Sequence, residues 1–114
     1  LVSSVAKTYR ADPAKMTAAI CPSAGPCCYE VGEDVLTNAK SLLGPQAEGF
    51  FHRRDGKSYF DLWQSNVQQL LTAGLERPNV HLAGICTLCE NECFPSYRLE
   101  GDSAGRFLAV IAKR

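Results

Sequence analysis

Apolar residues recur at helical spacing in three stretches of the chain. The first stretch covers residues 1–9, and the Asp12-Pro13 pair prevents it from continuing. The second stretch has one apolar face and ends at Gly44-Pro45. The residues of that face are Val31, Val35, Ala39 and Leu42. Both stretches therefore predict amphipathic helices.

The third apolar stripe predicts a helix with signals at both ends. Its residues are Trp63, Val67, Leu70 and Leu71. Asp61 stands before the stripe with Gln64 three positions later, which is the form of a capping box with Asp in place of Ser or Thr. Gly74 follows the stripe, where glycine commonly ends a helix. We expect a helix that begins after Asp61 and stops before Gly74.

Short apolar or alternating runs predict four strands, at residues 17–20, 57–60, 80–85 and 107–112. The last run is almost wholly apolar, which is typical of a strand covered on both faces. Loops are predicted between them: residues 21–26 contain two prolines, residues 49–56 are polar, and residues 86–105 have no clear period. Because the strands are short and unevenly spaced among helices, the order favours an α+β fold.

The composition is that of an ordinary globular protein with one domain at most. The chain has 114 residues, of which 46% are hydrophobic and 21% charged, so disordered and fibrous classes fit poorly. Twelve basic and twelve acidic residues give no net formal charge, which argues against a nucleic-acid partner. No apolar run approaches the ~18 residues of a membrane span, and residues 1–10 lack the features of a secretory signal. We therefore expect a cytoplasmic protein that binds neither nucleic acid nor membrane.

The six cysteines fall into two groups, Cys21, Cys27 and Cys28, then Cys86, Cys89 and Cys93. Reduced thiols suit a cytosolic protein better than disulfides, and a vicinal pair reaches disulfide geometry only with strain. The second group has the Cys-x-x-Cys spacing of half a zinc site, with a fourth ligand available from Cys27, Cys28 or His81. Because two clean paired knuckles are absent, unligated structural thiols are the favoured interpretation, and no metal ligand is assigned.

Two further groups admit a chemical and a structural interpretation. The vicinal cysteines could form a nucleophile pair with His52 or His81, whereas cysteines more often pack as small apolar groups. The His52-Arg53-Arg54 run could bind phosphate, whereas such a run is more often a solvated part of a loop. The residues alone favour the structural interpretation in both cases.

Two charged residues beside aromatic ones are candidates for a binding pocket. Arg98 follows Tyr97 in the long predicted loop, where it could serve a ligand or form a salt bridge to Glu100 or Asp102. Glu30 could act as a general base or as a carboxylate at a helix start, stabilised by the helix dipole. Spacing alone leaves these alternatives open.

Three segments taken together resemble one protein family. Residues 20–32 read Ile-Cys-Pro-Ser-Ala-Gly-Pro-Cys-Cys-Tyr-Glu-Val-Gly, similar to the family segment Ile-Gly-Pro-x-Ile-Gly-Pro-Cys-Cys-Tyr-Glu-Val. Residues 61–66 contain Asp-Leu-Trp-x-x-Asn, and residues 84–106 contain Cys-Thr-x-Cys, Ser-Tyr-Arg and Gly-Arg in the family order. By these motifs the chain is identified as a member of the laccase-domain, or polyphenol oxidase, family, whose members act as purine nucleoside phosphorylases.

The resemblance implies a longer layered α+β domain, with a mixed sheet covered by helices. It also implies metal-dependent phosphorolysis of adenosine, inosine or methylthioadenosine, with adenosine deamination as a further activity. In the family, two His and one Cys bind zinc within three segments that precede the matched region, and this sequence contains none of the three. The nearest string, at residues 11–13, has Pro where the ligand Cys would stand. We therefore expect residues 1–114 to be the C-terminal part of one domain, with the metal-binding half upstream as a partner of this chain.

On this resemblance we nominate four residues as neighbours of the pocket for nucleoside and phosphate: Tyr29, Glu30, Tyr97 and Arg98. Arg98 is the best candidate for holding an anion. No catalytic residue and no metal ligand is assigned within the chain. Two alternatives stay open, a copper-dependent phenol oxidase and a non-catalytic interaction module. The first is disfavoured because copper sites need many His ligands and the chain has two.

Overall fold

The computed structural model describes residues 1–112, which form helices, short strands and turns. The helices are α1 (Val2–Tyr9), α2 (Glu33–Leu43), α3 (Leu62–Thr72) and α4 (Tyr97–Glu100). The strands are β1 (Ala18–Ile20), β2 (Glu30–Val31), β3 (Phe51–Arg54), β4 (Lys57–Phe60) and β5 (Val80–Leu82). The predicted α+β class is confirmed, with parallel and antiparallel pairings in two separate small sheets. Over residues 1–112, no helix has the length and apolar character needed to cross a membrane.

Strands β1 and β5 form a parallel pair, in register over residues 18–20 and 80–82. Helix α3 covers this pair, and its buried Val67 packs with Leu75 and Val80 in the core. Partly buried apolar residues surround that core: Val2, Met16, Ala18, Ile20, Leu70 and Leu71. Burying an aliphatic side chain of this size stabilises a fold by about 1.5–3 kcal/mol. The parallel pair and its core therefore support the loops that follow β1 and β5.

The second sheet is antiparallel, with the strand order β2-β4-β3. Asp55 and Gly56 join β3 to β4 with positive φ values of 51° and 75°, which suit a two-residue hairpin turn. The prediction of a polar connection over residues 49–56 is therefore wrong where β3 forms. Phe51 of that strand packs against Phe60, with ring centroids 4.7 Å apart. Packing of the partly buried Phe51 on the buried Phe60 explains why the segment pairs as a strand.

Helix α3 begins and ends where its sequence signals predict. The Gln64 N–H donates to Asp61 Oδ1 at 2.9 Å, which confirms the N-terminal cap. Beyond the last turn Gly74 has a φ of 102°, a left-handed conformation that favours glycine. The Leu75 N–H then donates back to the Leu70 carbonyl oxygen at 3.2 Å. Both predicted ends of this helix are confirmed.

Two predicted boundaries differ from those in the structure. Helix α2 begins at Glu33 rather than at Val31, since Val31 lies opposite Ser58 in the β2–β4 ladder. The strand predicted over residues 80–85 ends at Leu82. The strands predicted near β1 and β4 are confirmed.

The strand predicted over residues 107–112 is wrong. These residues form no strand, and most of their side chains are exposed, 85% for Leu108 and 78% for Val110. A strand with two apolar faces is buried only where other elements cover both faces and pair its backbone. Residues 1–112 provide no such cover for this segment. Phe107 nevertheless packs edge-on against Phe94, with ring centroids 5.6 Å apart.

The long loop predicted over residues 86–105 consists mainly of turns, with α4 inside it. The Glu100 carboxylate holds this segment together. It accepts the Ser96 N–H at 2.6 Å and the Asn91 side-chain amide at 3.0 Å. These bonds lower the pKa of Glu100, the backbone N–H of Ser96 contributing most. The loop is therefore ordered by its own polar contacts.

Candidate functional site

The two loops that carry cysteines lie side by side because the parallel strands before them end at the same edge of the sheet. Past β1 and β5 the parallel pairing continues as a bridge between Ser23 and Cys86. The Ser23 N–H donates to the Ile85 carbonyl oxygen, and the Thr87 N–H donates to the Ser23 carbonyl oxygen, both at 3.1 Å. Segments far apart in the sequence are thereby held in contact.

Four thiols meet where these loops touch: Cys27, Cys28, Cys86 and Cys89. Their Sγ atoms all lie within 4.8 Å of one another. Cys89 Sγ is 3.6 Å from Cys27 Sγ and 3.5 Å from Cys28 Sγ. Cys86 is buried, whereas Cys27 and Cys89 are exposed. In the part of the chain that the structure describes, this four-cysteine cluster is the one group of His, Cys, Asp or Glu residues placed to hold a metal ion.

The structure completes the half-site seen in the sequence, but with Cys27 and Cys28 rather than with Cys93 or His81. His81 lies exposed on β5. The sequence admits either vicinal cysteine as a fourth ligand, but it does not show that the two cysteine groups meet. The sequence did contain a sign that the two cysteine groups meet. The predicted strands at residues 17–20 and 80–85 are each followed directly by a cysteine, Cys21 and Cys86. Parallel pairing of those strands would place both groups at one edge.

Tight turns fix the cysteine side chains on both loops. The Gly25 carbonyl oxygen accepts the N–H groups of Cys28 at 3.0 Å and Tyr29 at 2.9 Å. The Gly25 N–H in turn donates to Cys86 Sγ at 3.3 Å. On the second loop the Glu90 N–H donates to the Cys86 carbonyl oxygen at 2.9 Å. Each loop therefore presents its thiols from a hydrogen-bonded backbone.

The thiols of the cluster differ in acidity. Burial by itself would raise the pKa of Cys86. Backbone N–H groups donate hydrogen bonds to its sulfur, from Gly25, Cys89 and Leu88. Their net effect lowers the pKa of Cys86 to about 6. Burial of the sulfur atoms raises the pKa of Cys27 and of Cys28, even though Cys27 as a residue is exposed. The low pKa of Cys86 favours a thiolate beside the protonated thiols of Cys27 and Cys28, and a metal ion would displace their protons.

Arg54 braces the first cysteine loop from the antiparallel sheet. Its Nη2 donates to the carbonyl oxygens of Pro26 at 3.0 Å and Cys27 at 2.9 Å. Its guanidinium also lies over the Tyr59 ring, 3.9 Å from the ring centroid. The guanidinium is thus committed to the fold, which favours the structural interpretation of this basic run over phosphate binding.

The other two members of the basic run are also engaged outside the cysteine cluster. Arg53 Nη2 lies 3.4 Å from a Glu33 carboxylate oxygen on the surface. His52 Nε2 lies 3.7 Å from Asp61 Oδ2. No hydrogen bond joins a His to a thiol within residues 1–112, where thiol contacts are to other thiols and to backbone. The Cys–His nucleophile pair is therefore not assembled here.

Of the four residues nominated for the pocket, the structure brings Tyr29 and Arg98 together. The Arg98 guanidinium carbon lies 4.8 Å from the centroid of the Tyr29 ring, a cation–π contact. The salt bridge considered for Arg98, to Glu100 or Asp102, does not form among the described residues. Its positive charge is consequently not neutralised by a carboxylate within residues 1–112.

The other two nominated residues have separate partners. A Glu30 carboxylate oxygen accepts a hydrogen bond from Lys57 Nζ at 2.9 Å, and this bond is the main cause of a raised pKa at Lys57. Tyr97 is 69% exposed, and its hydroxyl donates to Asp102 at 3.4 Å. Glu30 lies on β2, ahead of α2, and is therefore not the carboxylate at the start of that helix. Its carboxylate instead forms a cross-strand ion pair with Lys57. Neither residue contacts Arg98 through a hydrogen bond.

Several bacterial proteins are similar to this chain over most of its length. Purine nucleoside phosphorylase YlmD of Geobacillus stearothermophilus is 34% identical over 103 residues, which cover 90% of this chain and 38% of that protein. A purine nucleoside phosphorylase of Xylella fastidiosa is 36% identical over 101 residues, covering 89% and 38% respectively. This chain therefore spans well under half the length of these curated relatives.

Solved structures and a family pattern agree with these similarities. The crystal structure of the Bacillus licheniformis hypothetical protein YfiH superposes with a TM-score of 0.77 at 30% identity, covering 85% of this chain and 37% of that one. YlmD from Geobacillus stearothermophilus gives a TM-score of 0.76 at 31% identity, covering 85% and 36%. The pattern described as multi-copper polyphenol oxidoreductase laccase matches residues 1–114. The chain belongs to that family, which confirms the resemblance drawn from its motifs.

Proposed function

We propose that this chain is the C-terminal part of a longer domain, and that the complete protein is a purine nucleoside phosphorylase acting on adenosine, inosine or methylthioadenosine. The observation that carries the proposal is the identity of 34–36% to proteins with that name, over 89–90% of this chain. Its partners are a purine nucleoside, inorganic phosphate and the upstream half of the same domain. Free thiols at all six cysteines suit a reducing compartment, which supports a cytoplasmic location.

In phosphorolysis a phosphate oxygen bonds to the anomeric carbon of the ribose as the bond from that carbon to the purine nitrogen breaks. The purine takes up a proton as it leaves, and the other product is a ribose 1-phosphate. Arg98 has the properties needed to bind the phosphate, because a guanidinium offers a planar fork of donors and this one has no carboxylate partner among the described residues. The ring of Tyr29 holds the guanidinium in place. In this proposal both residues position an anion.

The metal of the family resemblance has no matching ligand set in this part of the chain. That resemblance calls for two His and one Cys, whereas the one metal-holding group within residues 1–112 consists of four thiols. When bound to its upstream ligands, zinc would polarise or orient the reacting groups. Copper chemistry of the kind named in the family description fits less well, because copper(II) centres favour imidazole ligands. We therefore propose that the described residues bind the substrates and support the fold, and that they do not hold the catalytic metal.

The test compares the complete protein with the 114-residue chain, using purine release from adenosine, inosine and methylthioadenosine with and without phosphate. We expect phosphate-dependent release by the complete protein and none by the chain alone. If the complete protein releases no purine from any of the three, or releases it equally without phosphate, the proposal is wrong. Oxygen uptake with a phenol as substrate, in place of phosphorolysis, would support the laccase alternative.

A further inference from the structure

We propose that Cys27, Cys28, Cys86 and Cys89 bind one zinc ion in a closed, four-thiolate structural site. This site is separate from the His-containing metal site that the resemblance places upstream. It also does not depend on the proposed phosphorylase activity. These four residues are then zinc ligands, and not the unligated structural thiols that the sequence favours.

The spacing of the sulfur atoms fits a tetrahedral zinc ion. With zinc–sulfur bonds of about 2.3 Å, the edges of a tetrahedron of ligands measure about 3.8 Å. Cys89 Sγ already lies 3.6 Å from Cys27 Sγ and 3.5 Å from Cys28 Sγ. No pair of the four sulfur atoms is separated by more than 4.8 Å. Closing the tetrahedron therefore requires side-chain shifts of about 1 Å or less.

The donor set selects the class of ion. All four ligand atoms are thiol sulfurs, and soft thiolates favour zinc, copper(I) and iron over the hard cations magnesium and calcium. A fourth protein ligand leaves no open position for water, which is the arrangement of structural rather than catalytic zinc. Zinc is the ion that prefers four ligands at the corners of a tetrahedron without any redox change.

Backbone and side-chain groups around the cluster orient its thiols and supply a neighbouring positive charge. The Gly25 N–H donates to Cys86 Sγ at 3.3 Å, a bond that orients a ligand and stabilises its thiolate form. Arg54 binds the carbonyl oxygens of Pro26 and Cys27, and so fixes a positive charge next to the first cysteine loop. Four thiolates around one zinc ion carry two net negative charges, which a neighbouring guanidinium stabilises.

A zinc ion here would cross-link loops that lie more than 60 positions apart in the sequence, as the separation of 62 between Cys27 and Cys89 shows. Closing a loop of this length removes conformational freedom from the unfolded chain, so the cross-link stabilises the folded one. The site would thus hold the first cysteine loop against the loop that leads to α4. It would thereby keep Tyr29, which follows the first cysteine loop, in contact with Arg98 of α4.

The test measures zinc content and affinity in the 114-residue chain, purified under reducing conditions with zinc present. We expect one zinc ion per chain. Cys27→Ser and Cys89→Ser remove exposed ligands, so they leave the packing intact. Each should weaken zinc binding by more than the roughly 10–100-fold that follows loss of a hydrogen-bond partner of a ligand. Cys21→Ser and Cys93→Ser are the matched controls, because both are exposed and lie outside the cluster. Both should keep the parental affinity.

Cobalt(II) gives a second readout. In the parent chain it should show the sulfur-to-metal charge-transfer absorption of thiolate ligands, and this absorption should fall in Cys89→Ser and persist in Cys93→Ser. A chain that holds no zinc overturns the proposal whatever its circular dichroism spectrum. So does equal loss of zinc in the Cys89 and Cys93 variants, or a disulfide from Cys89 to Cys27 or Cys28 in the protein as purified without oxidant.

Discussion

Gly25 lies so close to Trp63 that a Cβ atom built on it would stand 2.7 Å from Cη2 of the indole ring. The ring cannot easily retreat, because its Nε1 donates a hydrogen bond to Ser23 Oγ at 2.8 Å. The same Cβ would also approach the Cβ of Cys86 to 3.2 Å. Glycine at this position therefore allows α3, the first cysteine loop and the second cysteine loop to meet.

Gly25→Ala should destabilise the fold. The added methyl group forces either the Trp63 ring or the loop backbone to move, and overpacking of this kind costs about 1–3 kcal/mol. The measurement is the free energy of unfolding from urea denaturation. Gly49→Ala is the control, because a Cβ there meets no atom within 4 Å. Equal stability of the two variants would contradict the close packing described here.

Asp61→Ala should cost about 1 kcal/mol, the usual value for a lost N-cap. The carboxylate accepts the Gln64 N–H at the start of α3, and alanine leaves that donor without its partner. Asp61→Asn keeps an acceptor oxygen in the same place and should cost much less. The measurement is thermal melting of both variants. If the alanine variant of the complete protein melts normally but has lost turnover, Asp61 serves the reaction and its role is not that of a cap.

Local signals accounted for the elements whose stability is local. Asp61 and Gly74 mark the ends of α3 in the sequence, and both roles are confirmed in the structure. The hairpin around Asp55-Gly56 carried an equally local signal, but β3 itself is mostly polar and exposed, so no apolar alternation pointed to it. Strand pairing there depends on the neighbouring β4, which a single-segment pattern cannot show.

The four-cysteine cluster depended on contacts that no single segment contains. Its members come from loops that meet because β1 and β5 pair in parallel, and parallel pairing is a property of two distant segments. For the same reason the sequence left open whether Arg98 pairs with Glu100 or faces a ligand. In the structure the Glu100 carboxylate accepts a hydrogen bond from the Ser96 N–H, and the Arg98 guanidinium lies over the Tyr29 ring.

Glu100→Gln should remove a pH-dependent part of the stability. The pKa of Glu100 is lower in the folded chain because its carboxylate accepts the Ser96 N–H and an Asn91 amide. A depressed carboxyl pKa contributes stability above the unfolded-state pKa, and this contribution is lost as the pH falls through the folded-state pKa. The parent should therefore lose more stability on acidification than the glutamine variant. The measurement is the pH dependence of the unfolding free energy, with Glu92→Gln as the control at an exposed glutamate of the same segment. Parallel curves for the parent and Glu100→Gln would contradict the prediction.

Arg98→Lys in the complete protein should weaken its use of phosphate. Lysine keeps the positive charge and can still lie over the Tyr29 ring, but it cannot reproduce the planar fork of donors. Losing a hydrogen bond to a charged group costs about 1.5–3 kcal/mol, so the KM for phosphate should rise roughly tenfold or more. The KM for nucleoside should change less, and steady-state kinetics with each substrate varied separately measure the two effects.

The matched control for Arg98 is Arg53→Lys, which alters an exposed arginine whose partner is Glu33 on the surface. An exposed pair of that kind contributes about 0–1 kcal/mol to stability and nothing to turnover, so its kinetics should equal those of the parent. A change of less than about twofold in turnover and in both KM values, below ~0.5 kcal/mol, would make Arg98 indistinguishable from this control. In that case the contact with Tyr29 has a purely structural role, and the assignment of Arg98 to the phosphate would be wrong.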